Sequence, residues 1–300
     1  MSASAPIVLF AYNRPRHLRQ ALDALAANEG AQDSELLAFC DGPRPSAEPG
    51  ELRRIEEVRA IVRQERRFAR VAVVEREGNL GLARSVIEGV TTALSRHDRV
   101  IVVEDDIVSS RGFLRYMNAA LAMYADDDRV GCIHAWNFHV DTSGCPDTTF
   151  FLKGADCWGW GTWRRGWREF REDGHALLAE IDTRGLEHAF DRRGTFPFTA
   201  MLRDQVAGRI DSWAIRWHAS LFLADKYCLH PTRPIVRNIG VDASGVHGAL
   251  DIRQDVVESI DLARVPVREA EWFFAAYATA SAAPGARLRA ALKRLLRRSV

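Results

Sequence analysis

The first hundred residues alternate short β-rich runs with amphipathic helical stretches, and this alternation limits the possible folds more than any other feature. Pro15 opens a helix with Leu18, Leu22 and Leu25 on one face, and the loop at 41–50 is rich in proline. The predicted strands cover residues 6–12, 35–40, 68–74 and 100–103, and helical spacing separates them. Alternating strands and helices predict an α/β domain whose parallel sheet binds its ligand beyond the carboxyl ends of the strands.

Composition and charge limit the classes of molecule that the chain is expected to bind. The chain has 300 residues, 47% apolar and 27% charged, and its 41 basic and 40 acidic residues disfavour nucleic acid as a partner. Residues 284–300 hold six basic residues and no acidic one, which leaves 35 basic against 40 acidic residues before them. Leucines 288, 292, 295 and 296 predict a basic amphipathic helix there. Residues 287–298 would either contact an anionic membrane surface or pack against protein.

Cysteine usage and hydropathy predict a cytoplasmic protein, either free or peripheral at the inner membrane. The five cysteines are an odd number without a C-x-x-C pair, which indicates a reduced compartment. The N-terminus lacks a basic region, and Pro6 interrupts its apolar run, so we expect no secretory signal. The uncharged stretch 272–286 is too short to span a bilayer and contains Pro284.

Three consecutive carboxylates, Glu104, Asp105 and Asp106, follow the apolar strand at 100–103. Like charges at the ligand-binding end of a sheet repel one another unless a cation or hydrogen-bond donors neutralise them. A divalent metal ion is the simplest compensation. The alternative is an acidic loop that caps a helix starting near Ser109 or Ser110.

Several motifs, in order along residues 5–250, resemble those of metal-dependent GT-A glycosyltransferases, closest to the N-acetylglucosaminyltransferase I type and its bacterial relatives. The resemblance rests on the segments 11–15 (AYNRP), 41–42 (DG), 102–107 (VVEDDI), 132–137 (CIHAWN) and 245–248 (GVHG). The acidic motif, the Ala-Trp-Asn segment and the late histidine together are much more specific than any one of them.

The resemblance implies a metal site for Mn²⁺ or Mg²⁺. Asp106, as the last carboxylate of the motif, would bind the ion that bridges the two phosphates of a nucleotide-sugar, because a leaving diphosphate gathers negative charge. Glu104 and Asp105 would bind hydroxyls of the ribose and the donor sugar. His247 resembles the histidine that reaches the metal or diphosphate, although a histidine between glycines is also a common turn residue.

The resemblance also implies a nucleotide pocket. Asp41 would accept a hydrogen bond from a base N–H, which uracil and guanine both offer, and a UDP-sugar is favoured; an Asx turn with Gly42 is the alternative. Arg14 precedes a helix, and the segment that contains Asn79 and Arg84 follows a predicted strand. We therefore predict that Arg14, Asn79 and Arg84 bind the donor, or that Arg84 is a solvated helix residue.

The catalytic base is predicted from the segment 211–216 (DSWAIR), which resembles the family's Asp-Asp-Trp stretch. Inverting transfer requires a group that takes the acceptor hydroxyl's proton. Because Ser212 stands where the family has the carboxylate, Asp211 is the candidate base, with Asp204 or Asp173 as fallbacks. A helix cap is the alternative role for Asp211.

Aromatic residues near position 160 resemble the family's glycine-rich loop that lines the sugar. Trp158, Gly159 and Trp160 are predicted to contact the sugar or acceptor, as is Arg216. Aromatic faces suit the C–H surfaces of pyranose rings, and glycine lets the backbone approach. Core packing is the alternative for each single tryptophan.

These observations predict a single GT-A (Rossmann-like) α/β domain with a mostly parallel central sheet flanked by helices. Residues 1–135 would form the nucleotide-sugar half, 136–270 the acceptor half and 271–300 a C-terminal segment. The predicted activity is metal-dependent, inverting transfer of a sugar to a hydroxyl of a glycan or lipid-linked glycan. The alternatives are a nucleotidyltransferase, which the absence of glycine from 12–17 disfavours, and a non-catalytic module that binds nucleotide-sugar.

Overall fold

A computed structural model gives the fold of the chain. It describes residues 4–137, 140–142, 145, 147–240 and 255–282, and the side chains only as far as residue 279.

Ten strands are formed by the described residues. In chain order they are β1 (Ile7–Ala11), β2 (Glu35–Cys40), β3 (Arg70–Glu75), β4 (Arg99–Glu104), β5 (Ile107–Ser109), β6 (Val130–His134), β7 (Thr149–Lys153), β8 (Trp160–Trp163), β9 (Tyr227–Pro231) and β10 (Val236–Asn238).

Ten α-helices connect or follow these strands in the described part of the chain. They are α1 (Pro15–Ala26), α2 (Pro49–Gln64), α3 (Leu82–Arg96), α4 (Phe113–Met123), α5 (Arg164–Trp167), α6 (Gly174–Thr183), α7 (Glu187–Phe190), α8 (Phe198–Val206), α9 (Trp213–Leu223) and α10 (Glu271–Ala282).

Eight strands form one sheet in the order β3-β2-β1-β4-β8-β6-β9-β7, and β5 pairs with β10 in a small antiparallel sheet. Strands β1 to β4 are mutually parallel, and β6 pairs in parallel with β9. Strands β8 and β7 run antiparallel to their neighbours. The sheet is therefore mostly parallel, as predicted.

Both faces of the sheet are covered, because successive side chains of a strand point to opposite sides. Ile7 and Leu9 of β1 pack in one core with the buried residues of α1, α2 and α4. Val8 and Phe10 pack in a second core with α3 and α9. These two cores give the α/β layers that the strand pattern predicts.

The local predictions need three corrections. Helix α2 begins at Pro49, inside the predicted loop 41–50, because proline is favoured in the first turn of a helix. Leu52 follows the helical spacing of Ile55, Val58 and Val62, which predicts that it lies on their apolar face, but it is exposed. Strand β8, which runs antiparallel between β4 and β6, was not predicted from the segment at 158–166.

Two global properties concern the cysteines and the helices. All five cysteines are free thiols. Among the described residues, no helix combines the length and the apolar character needed to cross a membrane. The basic segment 287–298 lies outside the described residues.

Candidate functional site

The carboxyl edge of the large sheet brings the predicted segments together. Strand β1 leads to Tyr12 and Arg14, β2 to Asp41, and β4 to Asp105 and Asp106. Because β8 runs in the opposite direction, the residues that precede it reach this same edge between β4 and β6. The segment 156–159 therefore lies beside the acidic residues.

The acidic turn, defined as Glu104, Asp105 and Asp106, is bridged by one cation. Arg14 Nη2 donates a hydrogen bond to Asp105 Oδ1 and lies 2.8 Å from Asp106 Oδ2. The backbone N–H of Tyr12 donates to Asp105 Oδ2 at 3.4 Å. Asp105 and Asp106 are both buried. The end of β1 is thus tied to the end of β4.

Electrostatics show that this single cation does not balance the acidic turn. Burial and the charges of Asp106 and Asp105 raise the pKa of Glu104 to about 8, although Arg14 opposes the shift. Burial also raises the pKa of Asp105 to about 6 against the opposing effect of Arg14. Three adjacent carboxyl groups with one guanidinium therefore resist full ionisation, and a bound cation would favour their ionised forms.

The acidic turn also has an open ligand position. Asp106 Oδ1 is buried and has no hydrogen-bond partner among the described residues, whereas Oδ2 faces Arg14. An unsatisfied buried carboxylate oxygen is costly, and carboxylate oxygens are the preferred protein ligands of hard divalent cations. The residues present therefore fit Mn²⁺ or Mg²⁺, ions that bind through one or two carboxylates together with substrate phosphates.

The end of the second sheet closes over this position. Ile239 N–H donates to the Asp106 carbonyl at 2.9 Å, and a Cβ atom added at Gly240 would overlap Asp106 Oδ2. A glycine is required here because the backbone approaches the acidic turn so closely. His247, the other predicted metal ligand, lies outside the described residues.

The helix-capping alternative for the acidic turn is wrong. Strand β5 follows the turn directly, and the next helix, α4, begins only at Phe113 with Gly112 as its N-cap.

Asp41 directly follows β2, as predicted, and each of its carboxylate oxygens accepts two hydrogen bonds. Its Oδ1 accepts from the N–H groups of Gly42 and Leu80, both at 2.9 Å. Its Oδ2 accepts from Asn79 Nδ2 and the Gly81 N–H, both at 3.0 Å. These bonds join the loop after β2 to the loop before α3. Contact between Asp41 and a base stays a prediction, and it requires exchange of one of these bonds.

The other predicted donor-binding residues differ in placement. Asn79 lies in this joined loop pair, and its side chain also donates to the Gly42 carbonyl at 3.1 Å. Arg84 is exposed on the first turn of α3 and pairs with Glu88 at 2.7 Å. A solvated helix residue thus describes Arg84 as observed, and its contact with a nucleotide stays a prediction.

The predicted base lies in a solvated position. Asp211 has a side chain that is 69% exposed, and it lies 3.4 Å from the Arg216 guanidinium. Ser212, not Asp211, caps α9 through a bond from the Ile215 N–H, so the capping alternative for Asp211 is wrong. Arg216 is buried and donates to the carbonyls of Ser212 and Glu172.

The two fallback carboxylates also have local roles. Asp173 is the N-cap of α6 and accepts from the Ala176 N–H. Asp204 is paired with Arg209. Each carboxylate is therefore used in its own local structure.

The predicted sugar-lining residues divide between surface and core. Trp158 is half-buried and packs edge-to-face on Trp136 with centroids 4.8 Å apart. Gly159 has φ +65°, a conformation that favours glycine. Trp160 is only 1% exposed and packs among Trp167, Trp213 and Trp217. The prediction that Trp160 contacts a sugar is corrected, because these rings cover it on the core side.

A second polar group at this edge was missed by the sequence predictions. The histidine cluster, defined as His134, His230 and Asp156, has potential ligand atoms that all lie within 4.8 Å of one another. Both histidines are fully buried, and burial lowers their pKa values, so they are neutral near pH 7. The only available signals were His134 inside the quoted Ala-Trp-Asn segment and Asp156 just before the Gly and Trp mixture.

The hydrogen bonds of the histidine cluster fix its protonation. The Trp158 N–H donates to His134 Nε2 at 3.0 Å, so the proton of neutral His134 is on Nδ1. This Nδ1 lies 3.3 Å from His230 Nδ1 and donates to it. All three of these nitrogens are therefore committed to hydrogen bonds. The cluster has the residue types of a metal site, but three of its four imidazole nitrogens already take part in hydrogen bonds within the chain.

Comparisons with known proteins complete the description. The sequence matches no protein-family profile and no curated protein sequence. Similar solved structures are GT-A-type glycosyltransferases. One is S. aureus TarS, with 15% identity, TM-score 0.34 and coverage of 59% of this chain and 30% of TarS. Another is the mannosyltransferase PcManGT from Pyrobaculum calidifontis in complex with GDP-Man and Mn²⁺, with 13% identity, TM-score 0.37 and coverage of 75% and 70%.

A third similar structure is an active-site mutant of LgtC, with 11% identity, TM-score 0.36 and coverage of 59% of this chain and 64% of that one. The chain thus spans less than a third of TarS and under two thirds of the LgtC structure. Because all three TM-scores are below 0.5, the functional argument rests on the site itself.

Proposed function

We propose that this chain is a metal-dependent glycosyltransferase that moves a sugar from a nucleoside diphosphate donor to a hydroxyl of a glycan or lipid-linked glycan. The proposal rests mainly on Asp106 Oδ1, which is buried and has no hydrogen-bond partner among the described residues. This oxygen belongs to the acidic turn at the carboxyl edge of the sheet, where the neighbouring carboxyl groups raise the pKa of Glu104. Ligands of open α/β sheets bind at this edge. Four of the motifs that resemble GT-A enzymes, at 11–15, 41–42, 102–107 and 132–137, lie at this edge.

The residues of the acidic turn would divide the work. Asp106, with His247 as a second ligand, would hold Mn²⁺ or Mg²⁺, which supplies positive charge to the diphosphate as it leaves. Arg14 orients Asp105 and Asp106 and lies where it can also face a phosphate. Glu104 and Asp105 would accept hydrogen bonds from sugar hydroxyls.

The nucleotide would lie over the ends of β1 and β2. The loops joined by Asp41 form one wall, and Tyr12, whose hydroxyl donates to Glu51 at 2.6 Å, lies at the end of β1. Asp41 would accept a hydrogen bond from a base N–H, which both uracil and guanine offer, and a UDP-sugar is the donor we propose. Attack by the acceptor hydroxyl from the side opposite the diphosphate would give inversion.

Thermal-shift measurements with UDP and GDP, each with and without Mn²⁺, test the proposal. Ligand binding stabilises the folded state by mass action, by about 2.7 kcal/mol at a ligand concentration of 100 Kd. We expect the shift with nucleotide plus Mn²⁺ to exceed the sum of the separate shifts. Asp106→Asn should abolish this excess, and Mn²⁺-dependent release of nucleoside diphosphate from a UDP-sugar should fall with it.

Asp98→Asn is the matched control. Asp98 is an exposed carboxylate at the opposite, amino end of β4. The excess shift should persist in Asp98→Asn. A metal-dependent shift of full size in Asp106→Asn would show that the ion, if it binds, uses other residues.

We further propose that residues 287–298 hold the enzyme at an anionic membrane in the cytoplasm, near a lipid-linked acceptor. The six basic residues of 284–300 supply the charge. Deletion of residues 285–300 should reduce sedimentation with phosphatidylglycerol vesicles and leave sedimentation with phosphatidylcholine vesicles at its low level. Unchanged sedimentation with the anionic vesicles would exclude this role.

A further inference from the structure

The segment before β8 carries a carboxylate whose position differs from that of every predicted base. Asp156 precedes β8, and β8 lies between β4 and β6 in the sheet. Burial raises the pKa of the Cys157 thiol well above its usual value, and the charges of Asp156, Glu104 and Asp106 raise it further. Asp156 and the acidic turn therefore both act on the Cys157 side chain.

One oxygen of Asp156 is fixed and the other is open. Oδ1 accepts a hydrogen bond from the Cys157 N–H at 2.9 Å. Oδ2 accepts none from the described residues, and the side chain is 19% exposed. A base needs this combination of a held carboxylate and a reachable oxygen.

Among the described residues, Asp156 forms no ion pair with a lysine or an arginine. His134 Nε2 lies 3.7 Å from Asp156 Oδ1, but it accepts from the Trp158 N–H and has no proton to donate. Arg192 is a buried cation whose pKa is lowered by burial and raised by the charge of Asp156.

An apolar wall stands beside the carboxylate. The edge-to-face pair of Trp136 and Trp158 follows β6 and precedes β8, so it lies at the same edge as Asp156. Aromatic faces of this kind suit the C–H surface of a sugar. The wall and the carboxylate are both on the side of the acidic turn away from Asp41, where an acceptor would approach.

We propose that Asp156, rather than Asp211, is the catalytic base of the transfer, with His134 as a positioning residue; this inference rests on the proposed function. The acceptor hydroxyl oxygen forms a bond to the anomeric carbon as the bond from that carbon to the diphosphate oxygen breaks. The leaving nucleoside diphosphate takes the electron pair, and the hydroxyl proton passes to Asp156 Oδ2.

The test uses the full chain, Mn²⁺ and a panel of UDP-glucose, UDP-galactose, UDP-N-acetylglucosamine and GDP-mannose, with water as the acceptor. Nucleoside diphosphate release is measured at saturating donor for the wild type, Asp156→Asn and Asp98→Asn. Asparagine keeps an oxygen for the Cys157 N–H but cannot take a proton. We expect Asp156→Asn to lower kcat at least ~100-fold, within the range for loss of a general base, with KM for the donor within about threefold. Asp98→Asn should keep kcat within about twofold.

Two further measurements separate a chemical role from a structural one. Asp156→Ala should recover part of its kcat with added sodium formate, since a small carboxylate replaces the missing base. The nucleotide-plus-Mn²⁺ thermal shift of Asp156→Asn should equal that of the wild type. Loss of that shift, or no recovery with formate, would assign Asp156 a structural role and overturn the inference.

The remaining outcomes are also decisive. If Asp156→Asn keeps more than about a third of kcat, or if Asp211→Asn loses activity while Asp156→Asn keeps it, Asp156 is not the base although sugar transfer stands. A wild-type chain that releases no nucleoside diphosphate from any donor of the panel overturns the proposed function, and the assignment of Asp156 with it.

Discussion

The acidic turn at the end of β4 and the histidine cluster, whose histidines lie on β6 and β9, share one edge of the sheet with β8 between them, and they handle buried charge in opposite ways. The acidic turn faces one guanidinium with three carboxylates and leaves Asp106 Oδ1 unpaired among the described residues. The histidine cluster has one carboxylate, two neutral imidazoles joined by a hydrogen bond and a buried arginine beside it. A bound cation would relieve the negative charge of the first group, whereas the imidazoles of the second are neutral near pH 7.

The largest expected loss of stability follows from removing the cation that bridges the acidic turn. Arg14→Met removes the cation that bridges Asp105 and Asp106, and loss of one partner of a buried pair costs about 3 kcal/mol. Urea unfolding without metal measures the loss, and added Mn²⁺ should recover part of it. Arg19→Met, which removes an exposed pair between α1 and Glu57 of α2, should cost under about 0.5 kcal/mol. Equal losses in both variants would show that the acidic turn tolerates its excess charge.

The next effect concerns the histidine cluster. His134→Phe leaves the Trp158 N–H and His230 Nδ1 without their partner, and an unsatisfied buried polar group costs about 2 kcal/mol. Added Mn²⁺ should restore nothing, in contrast to Arg14→Met. His175→Phe on the exposed side of α6 is the control, with an expected change under about 0.5 kcal/mol. Recovery of His134→Phe by Mn²⁺ would mean that the two groups are not independent.

The acidic turn and the buried histidines should make the free energy of unfolding depend on pH in opposite directions. The raised pKa of Glu104, about 8 when folded, means that stability is lost as pH rises from about 4.5 towards 8. Burial lowers the pKa of the neighbouring His218 to about 3, and those of His134 and His230 are lowered too, so stability is lost as pH falls below about 6.5. Each fully shifted group contributes about 1.4 kcal/mol per pH unit.

Urea unfolding at intervals between about pH 5 and about pH 8.5 measures the loss of stability on the acid side (the acid arm) and on the alkaline side (the alkaline arm). Mn²⁺ should flatten only the alkaline arm, because the ion would neutralise the acidic turn and leave the buried histidines unchanged. A metal effect on the acid arm would contradict the separation of the two groups.

The smallest expected effect tests on which side of Asp106 a metal ion would bind. Gly240→Ala would push a methyl group against Asp106 Oδ2 and Arg14, so Mn²⁺-dependent nucleotide affinity should fall about fivefold, or about 1 kcal/mol. Gly50→Ala meets only ordinary contacts in α2 and should change nothing. Isothermal titration with UDP and Mn²⁺ compares the two variants. Equal affinities would place the ion away from the Gly240 side of Asp106.

Much of the nucleotide half could be predicted from local patterns. The β2 strand at Glu35–Cys40 and the start of α1 at Pro15 agree with the prediction, because apolar periodicity and proline at a helix start act over a few residues. The acidic turn was also recognisable, since its three carboxylates are consecutive and follow a buried strand. Three adjacent acidic residues already indicate an excess of negative charge at this position.

The histidine cluster could not be found in this way. His134 and His230 lie 96 residues apart along the chain, and Asp156 joins them only because β8 enters the sheet antiparallel between β4 and β6. Trp160 shows the same limit, because a tryptophan beside glycines has the same sequence pattern whether it faces a ligand or three other tryptophans.

The sequence by itself determined the alternating elements, the edge at which a ligand would bind and the excess of negative charge after β4. Only the tertiary structure decided that Arg14 bridges the acids, that Asp211 faces solvent and that Asp156 stands beside the acidic turn. The physical reason is range: periodicity and capping act between residues near in sequence, whereas burial and strand order depend on which distant segments pack together.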